Sequence, residues 1–430
     1  MHRKYTRMAS NSVCYEVVIV VTNRNSKKFI DISRMSLRSA FLGAIPIRCG
    51  KTLIMLLDDS SEDGSFNDLC DYGLTLSKQT GIDFSAHQLS KHRGHPYLLY
   101  YAYTKAHKCF NANYLFKIDN DFIITNYNII NELIDIIDQF NKNGVKVFSI
   151  QPAVLNCPRE LYDKYDADSL SIKCDKRCFV GGVNRASVNG TFHQVDFNWH
   201  TYVNSNKLVS TLFTFSAACI YCIKDIQHDV ITPFFPYLFR SFHDDVFAGI
   251  VMTRKGYSSF QYMKIGGIHF LNTSSKINTE TVFSFFHNLV LLRTYLYGFA
   301  GLFSTMVTIF FTLIFLRFGY MRRILSLLEQ KKILKLGPIE KHIINMDSNT
   351  SKIIAGVIVI ATYKGFLNVR KYNRLIQIFY RMKRQELSTR TTLEKYSAFC
   401  SLKNNAKRFL CNILSIFTNS YLRTDVVVCR

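Results

Sequence analysis

Apolar runs alternate with helical patterns through the first 150 residues, and this alternation constrains the fold more than any other feature of the chain. Runs at residues 15–21, 52–57, 83–89, 114–118 and 145–150 read as strands, and helical spacing fills 31–42, 66–77, 96–108 and 128–140. In the last of these helices Ile130, Leu133, Ile134 and Ile137 form one stripe, which stops at Asn143-Gly144. Strands separated by crossover helices pair in parallel, so the expected fold is a layered α/β sheet. Ligands in such sheets bind at the carboxyl ends of the strands. Two acidic clusters fall at those ends: Asp58-Asp59 after the second strand and Asp119-Asn120-Asp121 after the fourth.

Side chains at i and i+2 of an extended segment point the same way, so Asp119 and Asp121 can reach one hard divalent cation through oxygen while Asn120 faces away. Beyond residue 150 the rhythm breaks. Residues 151–243 are irregular and polar, with aromatic segments at 192–202 and 213–221, which suits an acceptor-binding region or a loop-rich extension of the sheet. From Asp244 a helical pattern runs to about Lys255, followed by a strand near 260–265 and a helix near 281–295.

Charge and hydropathy set the remainder of the chain apart. Residues 294–316 are 23 consecutive uncharged residues, long enough as a helix to cross a hydrocarbon layer of about 30 Å. The apolar run at 353–363 is shorter and suits an interfacial or packed helix. Residues 317–430 carry 22 Lys/Arg against 6 Asp/Glu, a net of +16 out of +23 for the whole chain. Such charge beside an apolar run points to anionic lipid, and no nucleic-acid partner is expected. The run at 17–21 is too short for the core of a secretory signal, so the twelve cysteines are expected to be reduced in a cytoplasm. Cys174, Cys178, Cys219 and Cys222 offer four thiolates, but Cys219 and Cys222 lie in an apolar strand pattern and face opposite ways, which favours core cysteines over zinc.

Four pieces stand in chain order: Thr22-Asn23-Arg24, Leu57-Asp58-Asp59-Ser60-Ser61-Glu62-Asp63-Gly64, Asp119-Asn120-Asp121, and His243-Asp244-Asp245 opening a helix that closes in Gly256-Tyr257. As a set, over residues 15–290, they resemble family 2 glycosyltransferases of the GT-A fold, with Ser60 where the family usually has Gly. Within that family the chain is similar to the bacterial galactofuranosyltransferase-like branch. The residues concerned are Asp244-Asp245, Ile268-His269-Phe270 and Phe285-Phe286-His287-Asn288-Leu289; Asp196-Phe197-Asn198-Trp199 is similar to that branch's acceptor-site element. His269 lacks the branch's preceding Trp, and Leu289 stands where Arg is usual.

The resemblance implies a GT-A catalytic domain over residues 1–292, Rossmann-like with a mostly parallel sheet between helices. A hydrophobic membrane segment (293–317) and a basic, mainly helical, membrane-associated region (318–430) follow. It implies an inverting hexosyltransferase that takes a sugar from a nucleotide-sugar donor, a UDP-sugar, to a lipid-linked or growing cell-surface polysaccharide. Galactofuranose is one candidate sugar, and rhamnose or another hexose the alternative. Asp119, Asp121 and His269 would hold Mn²⁺ or Mg²⁺, Asp245 would be the base that takes the acceptor's proton, and Asp244 would hold the acceptor. Thr22, Arg24, Asp58 and Asp59 would bind the donor nucleotide, and Trp199 and Asn198 the acceptor. The expected location is the inner (plasma) membrane with the catalytic domain on its cytoplasmic face. A non-catalytic scaffold for polysaccharide assembly is the competing reading; loss of one of the four pieces would favour it, and all four are present.

Overall fold

Five β-branched residues in a row, Val17 to Val21, are fully buried, which requires a strand covered on both faces. The computed structural model describes residues 4–6, 14–164, 178–180, 183–186, 192–195, 206–211, 213–214, 217–224, 226, 233–236, 238–241, 243–271, 279–297, 299–317, 327, 352–369 and 428–429. After β1 (Lys4–Thr6) come β2 (Val17–Asn23), α1 (Ile30–Ala44), β3 (Thr52–Asp58), α2 (Ser65–Thr80), β4 (Asp83–Gln88), α3 (His95–Lys108) and β5 (Tyr114–Asp119). The chain continues through β6 (Phe122–Ile124), α4 (Ile129–Lys142), β7 (Val147–Pro158), β8 (Phe179–Val180), β9 (Val183–Ala186), β10 (Phe192–Val195), β11 (Leu208–Thr211) and β12 (Ala218–Cys222). It closes with α5 (Asp244–Arg254), β13 (Ser258–Leu271), α6 (Thr279–Tyr297), α7 (Phe299–Arg317), α8 (Lys352–Val369) and β14 (Val428–Cys429).

The alternation of side chains along β2 assigns the layers. Val17, Ile19 and Val21 pack with Leu37 and Phe41 of α1, Leu69 of α2 and Leu133 of α4. Val18 and Val20 point the other way, to Leu98 and Ala102 of α3 and to Val251 of α5. The main sheet has the order β1-β4-β3-β2-β5-β12-β7-β13-β11-β14. Strands β4, β3, β2 and β5 are parallel neighbours. The chain moves outward from β2 to β3 and β4, then returns through α3 to place β5 on the other side of β2. This reversal opens a crevice at the carboxyl ends of β2 and β5.

The sheet is mixed, which corrects the expectation of a mostly parallel one. After α4 the fifth strand of the rhythm, β7, does not lie beside β5. β12 enters between them, antiparallel to both, and only β13 then pairs with β7 in parallel. The chain re-enters at β12 from the opposite direction, and all five residues of that strand are buried between β5 and β7. Cys219 and Cys222 are accordingly buried core thiols. The reduced state expected for all cysteines does not hold for Cys157 and Cys178, which are joined as a disulfide. They close the β7–β8 ladder one residue beyond the Asn156–Phe179 pair, where strand register sets them opposite each other.

The uncharged run at 294–316 is divided between the last turn of α6 and α7, so it is not one helix spanning residues 293–317. The second run is longer than its core suggested: α8 has 18 residues, a mean hydropathy of 1.5, and length and composition enough to cross a membrane. Trp199 and Asn198 lie outside the described residues, as does most of 318–430.

Candidate active site

The pairing of β2 with β5 fixes the first carboxylate. Thr22 and Asp119 are register partners across the two strands, and Thr22 Oγ1 donates to Asp119 Oδ1 at 3.0 Å. The ammonium of Lys117, fully buried, donates to the same oxygen. Asn120 turns away, as the i+2 rule requires, and its amide donates to Asn23 Oδ1 at 2.8 Å. Beyond the turn β6 pairs with β13, and the Phe270 N–H donates to the Asp121 carbonyl at 2.9 Å. That pairing sets His269 Nε2 3.2 Å from Asp121 Oδ1 across 148 residues of sequence. On its other side His269 Nδ1 lies 3.2 Å from Oδ1 of Asn156, its register partner on β7.

One ligand atom from each of Asp119, Asp121 and His269 lies within 4.8 Å of the others. Two carboxylates and an imidazole suit a hard or borderline dication such as Mn²⁺ or Mg²⁺. The Asn156 contact orients the ring so that Nε2 faces the cluster, the usual arrangement for a ligating histidine. Burial pushes the Asp119 carboxyl up, yet Lys117, His95 and His269 outweigh it and hold it below the ordinary carboxylate range. Burial lowers the pKa of His269, but Asp121 and Asp119 more than offset this and raise it. These residues fit a divalent cation.

The acid pair opens α5 on the other side of the crevice. His243, its N-cap, sits in the left-handed region at φ 67°, a conformation that costs free energy and that a surrounding structure must enforce. Asp244 Oδ2 accepts from His95 Nδ1 at 2.6 Å, while His95 Nε2 lies 3.7 Å from Asp119 Oδ1. One imidazole thus spans the acid pair and the metal-ligand cluster. Burial raises the Asp244 pKa, but His95 and Lys117 bring it below the ordinary range. For Asp245 burial and the adjacent Asp244 push the carboxyl up to about 7. A carboxylate tuned near neutrality is suited to accept a proton from a hydroxyl.

Asp58 and Asp59 are held by the protein itself. Asp58 accepts from Ser61 N–H at 2.7 Å, Ser61 Oγ at 2.5 Å, Asn23 Nδ2 at 2.7 Å and Gln88 Nε2 at 3.1 Å. Asp59 accepts the N–H groups of Arg93 (2.7 Å) and Gly94 (2.8 Å) and meets His92 Nδ1 at 2.6 Å. Asp58 therefore holds its own turn to Asn23 and Gln88, and Asp59 ties down the loop that carries His95. Ser60, where the resembled family has Gly, takes the left-handed conformation such a turn demands, at φ 62°. Arg24 stands at the rim, paired with His92.

Of the residues expected from the sequence, Asp119, Asp121 and His269 lie together, His95 links Asp119 to Asp244, and Asp245 follows Asp244 at the start of α5. Sequence reasoning missed His95, Asn156 and the role of Lys117. The 90–95 segment follows β4, so the rule that ligands bind at carboxyl ends of strands was a usable signal for His95. Asn156 gave none, because only the β7–β13 register brings it to His269.

No family model matches the chain, and no curated protein matches it. Among solved structures it is similar to GalNAc-T7 crystallised with UDP, GalNAc and Mn²⁺, at 10% identity and TM-score 0.42, over 67% of this chain and 50% of that one. It is similar to TarS 1–349 of S. aureus at 14% identity and TM-score 0.41, over 84% and 88% of the two chains. A mannosyltransferase, PcManGT from Pyrobaculum calidifontis in complex with GDP-Man and Mn²⁺, gives 9% identity and TM-score 0.40, over 85% and 91%. The chain spans half the length of the first of these structures.

Proposed function

We propose that this chain is a metal-dependent, inverting glycosyltransferase of GT-A architecture, with residues 1–292 as its catalytic unit. The donor is a nucleotide sugar, with UDP-sugars first among those to test and galactofuranose first among the sugars. The acceptor is a lipid-linked or growing cell-surface polysaccharide at the cytoplasmic face of a membrane. One observation carries the reading: Asp119, Asp121 and His269 gather together, and His95 reaches from Asp119 to Asp244, the neighbour of Asp245.

A divalent cation held by Asp119, Asp121 and His269 supplies Lewis-acid stabilisation to a leaving diphosphate. The chain's own residues do the rest. Asp245 takes the proton of the attacking hydroxyl on its carboxylate, worth roughly 10²- to 10⁴-fold in rate. Asp244, kept ionised by His95, orients that hydroxyl. Thr22 and Lys117 fix the Asp119 carboxylate so that the cluster is formed before substrate arrives. Arg24 and the 92–94 loop, tied to Asp59, line the side where the nucleotide would lie.

The test is transfer from a panel of radiolabelled nucleotide sugars to lipid-extracted acceptors by the full chain in membranes. Label is expected to enter acceptor from one donor, to stop with chelator, to return with Mn²⁺ or Mg²⁺, and to be lost in Asp245→Asn. Transfer that survives excess chelator would reject the metal assignment, and an unaltered Asp245→Asn would remove the base.

A further inference from the structure

Helix α6 joins two packed regions. Its Leu291 and Leu292 belong to the core beneath the sheet, whereas Val282, Phe286 and Val290 pack with Ile309 of α7 and with Ile354 and Ile358 of α8. α8 approaches α6 so closely at Gly365 that a Cβ there would sit 3.0 Å from the His287 carbonyl oxygen and 3.0 Å from Val290. Three residues later Asn368 Nδ2 lies 2.8 Å from His287 Nε2. His287 Nδ1 lies 2.8 Å from Asn288 Oδ1. Asn288 Nδ2 then donates to the carbonyls of Phe239 (3.0 Å) and Ser241 (2.6 Å), and its Oδ1 accepts the Phe239 N–H at 2.7 Å. In the stapled segment the Arg240 carbonyl accepts the N–H of His95 at 2.7 Å. A neutral His287, donating from Nδ1 and accepting at Nε2, satisfies every member of this line.

The outer faces of the same helices are apolar. Among the described residues, nine of the eleven exposed large apolar side chains are on α7 and α8, including Phe303, Phe310, Ile353, Ile360, Tyr363 and Phe366. Only 28% of α8 is buried, unlike the core helix of a soluble protein. Helices of 19 and 18 residues measure about 28 and 27 Å, and the net +16 of residues 317–430 complements anionic headgroups. The occupant that suits this face is an anionic lipid bilayer.

We propose that a bilayer seated on the outer faces of α7 and α8 clamps the active site, holding Asn368 on His287 and, through Asn288 and residues 239–241, fixing His95 against Asp244. The clamp rests on the membrane attachment proposed above. A ligand shifts an equilibrium only by its differential affinity for the two states. A bilayer binds α7 and α8 best when they stand side by side on α6, which is the arrangement that brings Asn368 to His287.

The experiment follows amide hydrogen exchange in the full chain with and without vesicles of phosphatidylglycerol and phosphatidylcholine, alongside vesicle flotation. Vesicles are expected to slow exchange at the Phe239 and His95 amides by about tenfold in the wild type. Asn368→Leu and Gly365→Val, which cut the line at α8, are expected to float as the wild type does and to show no slowing. A wild type that floats without slowing, or variants that slow equally, overturns the clamp while leaving attachment intact. A chain that does not float overturns both. None of these readouts depends on sugar transfer, so failure of the transferase reading is distinguishable.

Discussion

Replacing Asp245 by Asn separates stability from chemistry. Burial and Asp244 push this carboxyl up to about 7, against an ordinary value near 4. Below pH ~4 the group is protonated in both folded and unfolded chains and does not affect the balance. As pH rises, the unfolded chain ionises first, and stability is lost until the pH passes about 7. A gap of about 3 pH units at about 1.4 kcal/mol each bounds that loss at about 4 kcal/mol. Asn cannot ionise, yet it keeps an oxygen for the Val246 N–H that Asp245 Oδ1 accepts at 2.7 Å. Asp245→Asn is therefore expected to raise the melting temperature by several degrees at pH 8, at about 2–4 °C per kcal/mol for a domain of this size, and to leave it unchanged at pH 4. Transfer at pH 8 is expected to fall by roughly 10²- to 10⁴-fold, while wild-type turnover falls toward low pH as the carboxylate is protonated. Differential scanning fluorimetry at the two pH values and initial rates across the range check both halves. A variant less stable than wild type at pH 8, or one that turns over normally, refutes the reasoning.

Mn²⁺ is expected to raise the melting temperature of the wild type but not of Asp121→Asn or His269→Ala; equal shifts in all three would place the ion elsewhere. Asn156→Ala, which frees the His269 ring, is expected to weaken Mn²⁺ by about 10- to 100-fold in the same titration. Gly94 has φ 90°, and a Cβ on it would collide with the Arg240 backbone, so Gly94→Ala is expected to cost about 1–3 kcal/mol and most of the turnover by displacing His95. Wild-type melting and rate in that variant would show that the Gly94–Arg240 contact does not position His95.

The legible part of this chain is what local pattern encodes. Apolar runs gave β2 and β3, the Ile130–Ile137 stripe gave α4, and a strand ending in Asp119 gave one wall of the crevice. What stayed hidden depends on register and insertion. Nothing in residues 218–222 says that β12 will separate β5 from β7, because a short apolar strand pairs equally well at an edge or in the middle. Asn156 meets His269 only through a parallel ladder with three register shifts. Helix lengths were misjudged where uncharged residues cross a helix boundary, at 294–316, and where an apolar core extends into polar flanks, at 353–363.

The charges of the crevice argue for the cation independently of any motif. Asp119 and Asp121 lie together, His95 links Asp119 to Asp244, and Asp245 follows at the start of α5, while Lys117, His95 and His269 stand against these acids. Lys117 is bonded to Asp119, and the short contact of His95 goes to Asp244, which lowers both of those carboxyls. Asp245 receives too little compensation to ionise in the ordinary carboxylate range, and is left to titrate at about 7. A leaving diphosphate entering such a crevice would meet carboxylates whose counter-charges are already engaged, while Arg240 at the rim is paired with Glu280. A dication held by Asp119, Asp121 and His269 would place positive charge where the diphosphate must lie, and the same charge would lower the proton affinity of Asp245. Metal-free protein should for that reason bind donor more weakly, and its pH-dependent melting curve should level off at a higher pH than that of the Mn²⁺-loaded protein. An identical curve with and without Mn²⁺ would separate the acid pair from the metal site.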